Sequence, residues 1–270
     1  MRIAVAQICS STDPGENLEL IRSALPDADG ADLVVFPEAT MASFARRSAE
    51  VAEPLDGPFA DGVRAVAAQF GTTIAVGMFT PRSAVGAHGR CRNTLLVTGP
   101  GGEAAYHKLH LFDAFGFAES EHIEPGDRPV AVVVAGVTVG LAICYDVRFP
   151  ELFKEYARAG AAVVLVPASW QGGPGKVDQW RTLVRARALD ATSFVVACGQ
   201  AEPAASGRPG GPGPLGVGHS LVVAPDGVVL HEAGAGPETF VVDLDPDAVA
   251  EVRRKLPVLA NSRFVSRLRP

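Results

Sequence analysis

Ala31-Asp32-Leu33-Val34-Val35-Phe36-Pro37-Glu38 is a short apolar run that stops on a proline and an acid. Without polar alternation, such a run fits a strand covered on both faces rather than one with a wet side. The pattern returns as Ala161-Ala162-Val163-Val164-Leu165-Val166-Pro167, an offset of 130 residues from Pro37 to Pro167. A second pair, Asn93-Thr94-Leu95-Leu96-Val97 and His219-Ser220-Leu221-Val222-Val223, repeats at an offset of 126. Two similar helix-and-strand units point to an α/β fold with two sheets related by pseudo-symmetry. The sheets pack face to face with helices outside, as an α-β-β-α sandwich.

The rest of the chain supplies the remaining elements. Residues 2–8 alternate as a buried strand, and Asp13-Pro14 offers an N-cap and a first-turn proline for a helix ending near Leu25. A helix over 58–70 stops at Gly71, a strand over 73–79 follows, and after a Gly-rich loop at 86–89 comes a strand over 93–98. Gly99-Pro100-Gly101-Gly102 is a turn into Ala104-Ala105-Tyr106-His107-Lys108. Beyond an aromatic and acidic loop at 112–127, residues 130–135 and 137–143 form a hairpin around Ala135-Gly136. Helices are expected over 150–159 and 176–190, and strands over 194–198, 219–223, 228–230 and 239–244. The stretch 203–214, mostly Gly, Pro, Ala and Ser, reads as a mobile surface loop.

With 270 residues and 47% hydrophobic content, the chain can bury a sizeable core. A net charge of -6 leaves no basic stripe to neutralise phosphates, which argues against nucleic-acid or anionic-membrane partners. The basic run Arg263 to Arg269 is a short tail. Cys9, Cys91, Cys144 and Cys198 are scattered without a CxxC pair, so neither a disulfide framework nor a zinc site is indicated and a reducing cytoplasm is expected. The opening Ile3-Ala4-Val5-Ala6-Gln7 is too short for a signal peptide. The apolar stretch 130–144, broken by Gly136, Thr138 and Gly140, falls short of the roughly 18 residues of a membrane span.

Three expected strand ends carry reactive groups: Glu38, Lys108 and Cys144. Each alone has a plain reading as a loop acid, a surface lysine and a packed thiol. Together they supply a proton acceptor, a cation for an oxyanion and a nucleophile, held at one edge of a sandwich. No phosphate loop, G-x-S-x-G elbow or HExxH is present, and His107 and His110 lack partners at metal-ligand spacing, so no metal or organic cofactor is implied.

Phe36-Pro37-Glu38, Tyr106-His107-Lys108-Leu109-His110-Leu111-Phe112-Asp113 and Gly140-Leu141-Ala142-Ile143-Cys144-Tyr145-Asp146-Val147-Arg148-Phe149-Pro150-Glu151-Leu152 resemble the three signature segments of the nitrilase superfamily of carbon–nitrogen hydrolases, in the family's order. The resemblance extends through Pro167-Ala168-Ser169-Trp170 and Gly218-His219-Ser220. It implies one carbon–nitrogen hydrolase domain over 1–270 and a four-layer-forming α-β-β-α sandwich. It also implies a triad of Glu38 as general base, Lys108 as oxyanion stabiliser and Cys144 as nucleophile, with the Tyr145 N–H completing the oxyanion site. Phe117-Ala118-Glu119-Ser120 matches the segment of a second glutamate, and Glu119 is preferred to Glu121 for that role. The positive field of Lys108 is expected to favour the Cys144 thiolate.

Ser169 and Trp170 are candidates for lining the pocket, with core or dimer packing the other reading for Trp170. Arg148 either binds a substrate carboxylate or pairs structurally with Asp146 or Glu151. The implied activity is hydrolysis of a small linear amide, of the kind found in the deaminated glutathione and ω-amidase branch. The alternatives are an N-carbamoyl amino acid hydrolase or acyl transferase with the same triad, or a non-catalytic binding protein. A homodimer or higher homo-oligomer is expected from the resemblance.

Overall fold

The computed structural model describes residues 1–81, 90–211 and 213–264. The Gly-rich loop at 86–89, Pro212 and the basic tail from residue 265 lie outside the described residues.

The strands in chain order are β1 (Arg2–Gln7), β2 (Leu33–Val35), β3 (Thr73–Pro81), β4 (Cys91–Gly99), β5 (Gly102–His107), β6 (Asp113–Ala114), β7 (Phe117–Ala118), β8 (Ala131–Val134), β9 (Val137–Leu141), β10 (Val163–Ala168), β11 (Phe194–Gly199), β12 (Leu221–Val223), β13 (Val229–Glu232) and β14 (Glu238–Asp243). The α-helices are α1 (Pro14–Ala24), α2 (Pro58–Phe70), α3 (Pro150–Arg158), α4 (Lys176–Ala191), α5 (Asp247–Lys255) and α6 (Val258–Asn261).

The strands form two six-stranded sheets, ordered β14-β1-β2-β3-β4-β5 and β8-β9-β10-β11-β12-β13, plus the small β6-β7 hairpin. Read in that order, both sheets run through the same neighbour relations: antiparallel, parallel, parallel, antiparallel, antiparallel. Thus β2 corresponds to β10 and β4 to β12, the two pairs that echo in the sequence. Each parallel crossover carries a helix, α1 and α2 in the first unit and α3 and α4 in the second.

Side-chain alternation sorts the core. Ile3, Val5, Leu33, Val35, Leu95 and Val97 point into a cluster shared with Leu141, Leu165 and Val196 of the other sheet. Their neighbours Ala4, Val34, Phe36, Ile74 and Val76 face the opposite way and pack with Ile21 of α1 and Phe59, Val63 and Val66 of α2. The two sheets touch directly where Cys198 on β11 places its Sγ 3.2 Å from the Val35 carbonyl oxygen. That thiol is a packing group, and burial pushes its pKa up.

Several boundaries differ from the sequence reading. β2 spans only Leu33–Val35; the Phe36 N–H still donates to the Ala75 carbonyl of β3 at 2.8 Å, and Pro37, which has no N–H, ends the pairing before Glu38. The loop at 112–127 contains the β6-β7 hairpin, whose tip residues Phe115 and Gly116 both have positive φ. The helices α5 and α6 were not anticipated. Proline at 203 opens a short 3-10 turn, Ala204–Ser206, within the expected loop. No helix among the described residues is long and apolar enough to cross a membrane.

Leu95 is fully buried on the inner face of β4. Leu95→Ala is expected to lower unfolding free energy by about 3 kcal/mol, from lost apolar burial plus the cavity left behind. Chemical denaturation checks this, and a loss below about 1 kcal/mol would mean the sheets do not meet at Leu95.

Candidate active site

Glu38 leaves β2 through Phe36 and Pro37, and Ala39 follows it at φ 58, a left-handed conformation that turns the chain sharply. Gly77 on β3 makes room for this turn. A Cβ there would lie 2.6 Å from the Ala39 nitrogen and 2.8 Å from the Glu38 Cα. The Glu38 carboxylate is 1% exposed and engaged at both oxygens. Its Oε1 accepts from Lys108 Nζ at 2.9 Å and Asn93 Nδ2 at 2.8 Å, and its Oε2 accepts from the Ser169 N–H at 2.7 Å.

Lys108 follows β5 directly, and its ammonium is 2% exposed. Nζ also donates to Glu119 Oε2 at 2.9 Å and Oε1 at 3.1 Å. Burial alone would lower the Lys108 pKa, but Glu119 and then Glu38 outweigh it and hold it well above the ordinary lysine value. Glu119 is anchored in turn by the Phe112 N–H at 2.7 Å and by Asn93 Nδ2 at 3.3 Å. Glu121, the rival in sequence, is exposed.

Cys144 is the first residue of a 3-10 turn, Cys144–Arg148, that follows the extended Ile143. Its φ of 46 is sterically unfavourable for a residue with a side chain. Asp146 holds the turn in this shape: it is 0% exposed, and its Oδ2 accepts from the Ile143 N–H at 2.8 Å and from the Tyr106 hydroxyl at 2.7 Å. Its Oδ1 accepts from the His110 N–H at 3.0 Å and lies 2.7 Å from His110 Nδ1. One carboxylate thus ties the cysteine turn to Tyr106 and His110, which flank Lys108 by two residues on either side.

The thiolate expected from the field of Lys108 is not favoured here. Burial and then the neighbouring Glu38 carboxylate push the Cys144 thiol well above its ordinary value, and Lys108 only partly opposes them. The resting side chain is a thiol beside a carboxylate.

All eight residues singled out from the sequence line or build one pocket, which Phe44, Phe112, Phe117, Gln171, Lys176 and Pro214 complete. Tyr145 lies against Phe112 and Phe149. Trp170 serves both readings: it lines the pocket and packs on Trp180, with ring centres 5.1 Å apart. Ser169 contributes through its backbone, since its hydroxyl donates to the Pro214 carbonyl.

Arg148 forms no ion pair with Asp146 or Glu151. Its guanidinium sits 5.1 Å from the Trp170 ring centre and 5.7 Å from that of Tyr145, donates to Gln179 Oε1 at 3.0 Å, and keeps a buried Nε without a hydrogen-bond partner among the described residues.

Sequence reasoning missed Asn93, Asp146 and Lys176. Asn93 carried a signal, as a polar amide at the start of an otherwise apolar strand. Asp146 lay inside the quoted motif but was weighed only as a partner for Arg148. Among the described residues no cluster of three or more His, Cys, Asp or Glu could hold a metal ion.

Residues 2–254 match the family model described as carbon-nitrogen hydrolase. A protein named as a hydrolase from Mycobacterium tuberculosis is 51% identical, over 97% of this chain and 95% of its own length. A deaminated glutathione amidase of Escherichia coli O157:H7 is 34% identical over 98% of both chains. Among solved structures, Saccharomyces cerevisiae Nit3, a member of branch 10 of the nitrilase superfamily, superposes with a TM-score of 0.81 at 27% identity, covering 98% of this chain and 97% of its own. The chain belongs to the carbon–nitrogen hydrolase family and is a hydrolytic enzyme acting on amides with the α/β fold of the nitrilase superfamily.

Proposed function

We propose that the enzyme hydrolyses a small linear amide bearing a carboxylate through a thioester on Cys144, with Glu38 as general base and Lys108 as oxyanion stabiliser. The observation that carries this reading is the buried Lys108 ammonium, 2.9 Å from both Glu38 and Glu119, in the same pocket as the Cys144 thiol.

Because Cys144 rests as a thiol, its proton must leave as the sulfur attacks, and the adjacent Glu38 carboxylate is the group positioned to take it. The Cys144 Sγ bonds to the amide carbon, and the carbonyl oxygen becomes an oxyanion facing the Lys108 ammonium and the Tyr145 N–H. Glu38 returns the proton to the amide nitrogen as the C–N bond breaks and the amine or ammonia leaves. Water then loses a proton to Glu38 and attacks the thioester carbon. The carboxylic acid departs, and the proton restores the Cys144 thiol. Glu119 keeps Lys108 charged and aimed, since without it the burial cost of the ammonium would be half-compensated.

At the other end, Arg148 is the carboxylate reader. Its buried Nε lacks a partner and its charge is unbalanced by any described acid, so a substrate carboxylate would supply both.

Cys144→Ala is expected to fold normally and lose hydrolysis by roughly a thousandfold or more, because it deletes the attacking atom and little apolar volume. Comparable turnover in that variant would refute the assignment. Lys108→Met leaves two buried carboxylates facing each other and is expected to cost about 3–5 kcal/mol in denaturant unfolding as well as turnover. The raised thiol pKa sets a pH signature. Carbamidomethylation of Cys144 by iodoacetamide should keep accelerating from about pH 6 to about pH 9, and a plateau near neutrality would instead indicate a preformed thiolate.

A further inference from the structure

Lys176 is the third cation of this pocket, after Lys108 and Arg148, and like Arg148 it has no carboxylate within ion-pair distance among the described residues. Its Nζ lies 3.5 Å from the ring centre of Phe115, which stands 68% exposed at the tip of the β6-β7 hairpin. The position is unfavourable for an ammonium on three counts. Lys176 is the first residue of the 16-residue α4, where the helix dipole is positive. Burial and then Arg148 hold its pKa below the ordinary lysine value. A solvent-exposed ring is a weaker partner than a carboxylate.

An arriving anion relieves all three, and the pocket's own acids are not free to do so. Glu38 and Glu119 converge on Lys108 and on the Asn93 amide and nearby backbone N–H groups. The floor therefore carries two carboxylates against one ammonium, while the mouth carries two unbalanced cations. Those cations rest on different rings, although Lys176 and the Gln179 that anchors Arg148 both belong to α4. Arg148 is clamped between the Tyr145 and Trp170 rings and tied to Gln179, whereas Lys176 reaches to the hairpin. They offer two docking points rather than a single fork.

We propose that Lys176 is a specificity-determining residue that binds a second anionic group of the substrate, beyond the carboxylate read by Arg148, so that the preferred substrate is a monoamide carrying two acid groups. This rests on the amide-hydrolysis reading above and deepens it. The tail contact is made equally before and during the chemical step, so its loss falls on KM rather than kcat.

The test compares butyramide, glutaric acid monoamide and the terminal monoamide of tricarballylic acid, which carry no, one and two carboxylates. In Lys176→Met the ratio of kcat/KM for the diacid amide over the monoacid amide is expected to fall about tenfold through KM, as expected for a desolvated charge contact, and Lys176→Arg to retain most of it. A ratio within about twofold of the wild type, or a loss confined to kcat, overturns the role of Lys176. If the wild type hydrolyses none of the amides, or Cys144→Ala hydrolyses them equally well, the amide reading itself falls and this inference with it.

Discussion

Everything at the site depends on one buried charge cluster, the Lys108 ammonium between the Glu38 and Glu119 carboxylates. Taking three charges out of water costs several kcal/mol each, and their attraction offsets this only when every lone pair and proton is used. Here most are: Asn93 bridges both acids, the Ser169 N–H takes the far oxygen of Glu38, and the Phe112 N–H takes that of Glu119. These donors come from both sheets and from the loop after β5, so the cluster can form only when the sandwich has closed. Its geometry is rigid because the alternative is an unpaired charge in an apolar interior.

The Cys144 turn is the second constraint. A positive φ at a side-chain-bearing residue persists only where the surroundings over-determine it. Asp146 does this by capping the Ile143 N–H while gripping the two residues that flank Lys108. The thiol is thereby held at a fixed place relative to the ammonium. It stays protonated because burial and Glu38 outweigh the pull of Lys108. On the proposed mechanism a stored thiolate is not needed, because a carboxylate stands beside the thiol.

The fold was legible to an unusual depth because it is built twice. The runs ending at Pro37 and Pro167 echo each other since each is the central strand of a sheet flanked by parallel neighbours and covered on both faces. Hydrophobic pattern reports that kind of burial well. It reported the C-terminal helices α5 and α6 poorly, since α5 is mostly polar and buries only Val249.

Of the site, the amino-acid order by itself singled out the groups that the structure gathers into one pocket. A carboxylate, an ammonium and a thiol stand at strand ends within motifs whose residue types are chemically complementary, and Glu119 follows from its own segment. Only the tertiary structure decided the protonation of Cys144, the double duty of Trp170, the backbone role of Ser169, the unpaired state of Arg148, and the parts played by Asn93, Asp146 and Lys176. The reason is physical. Residue type is local and can be read along the chain, whereas desolvation and Coulomb interaction depend on distances through space between segments far apart in sequence, such as Ser169 and Glu38, 131 residues apart.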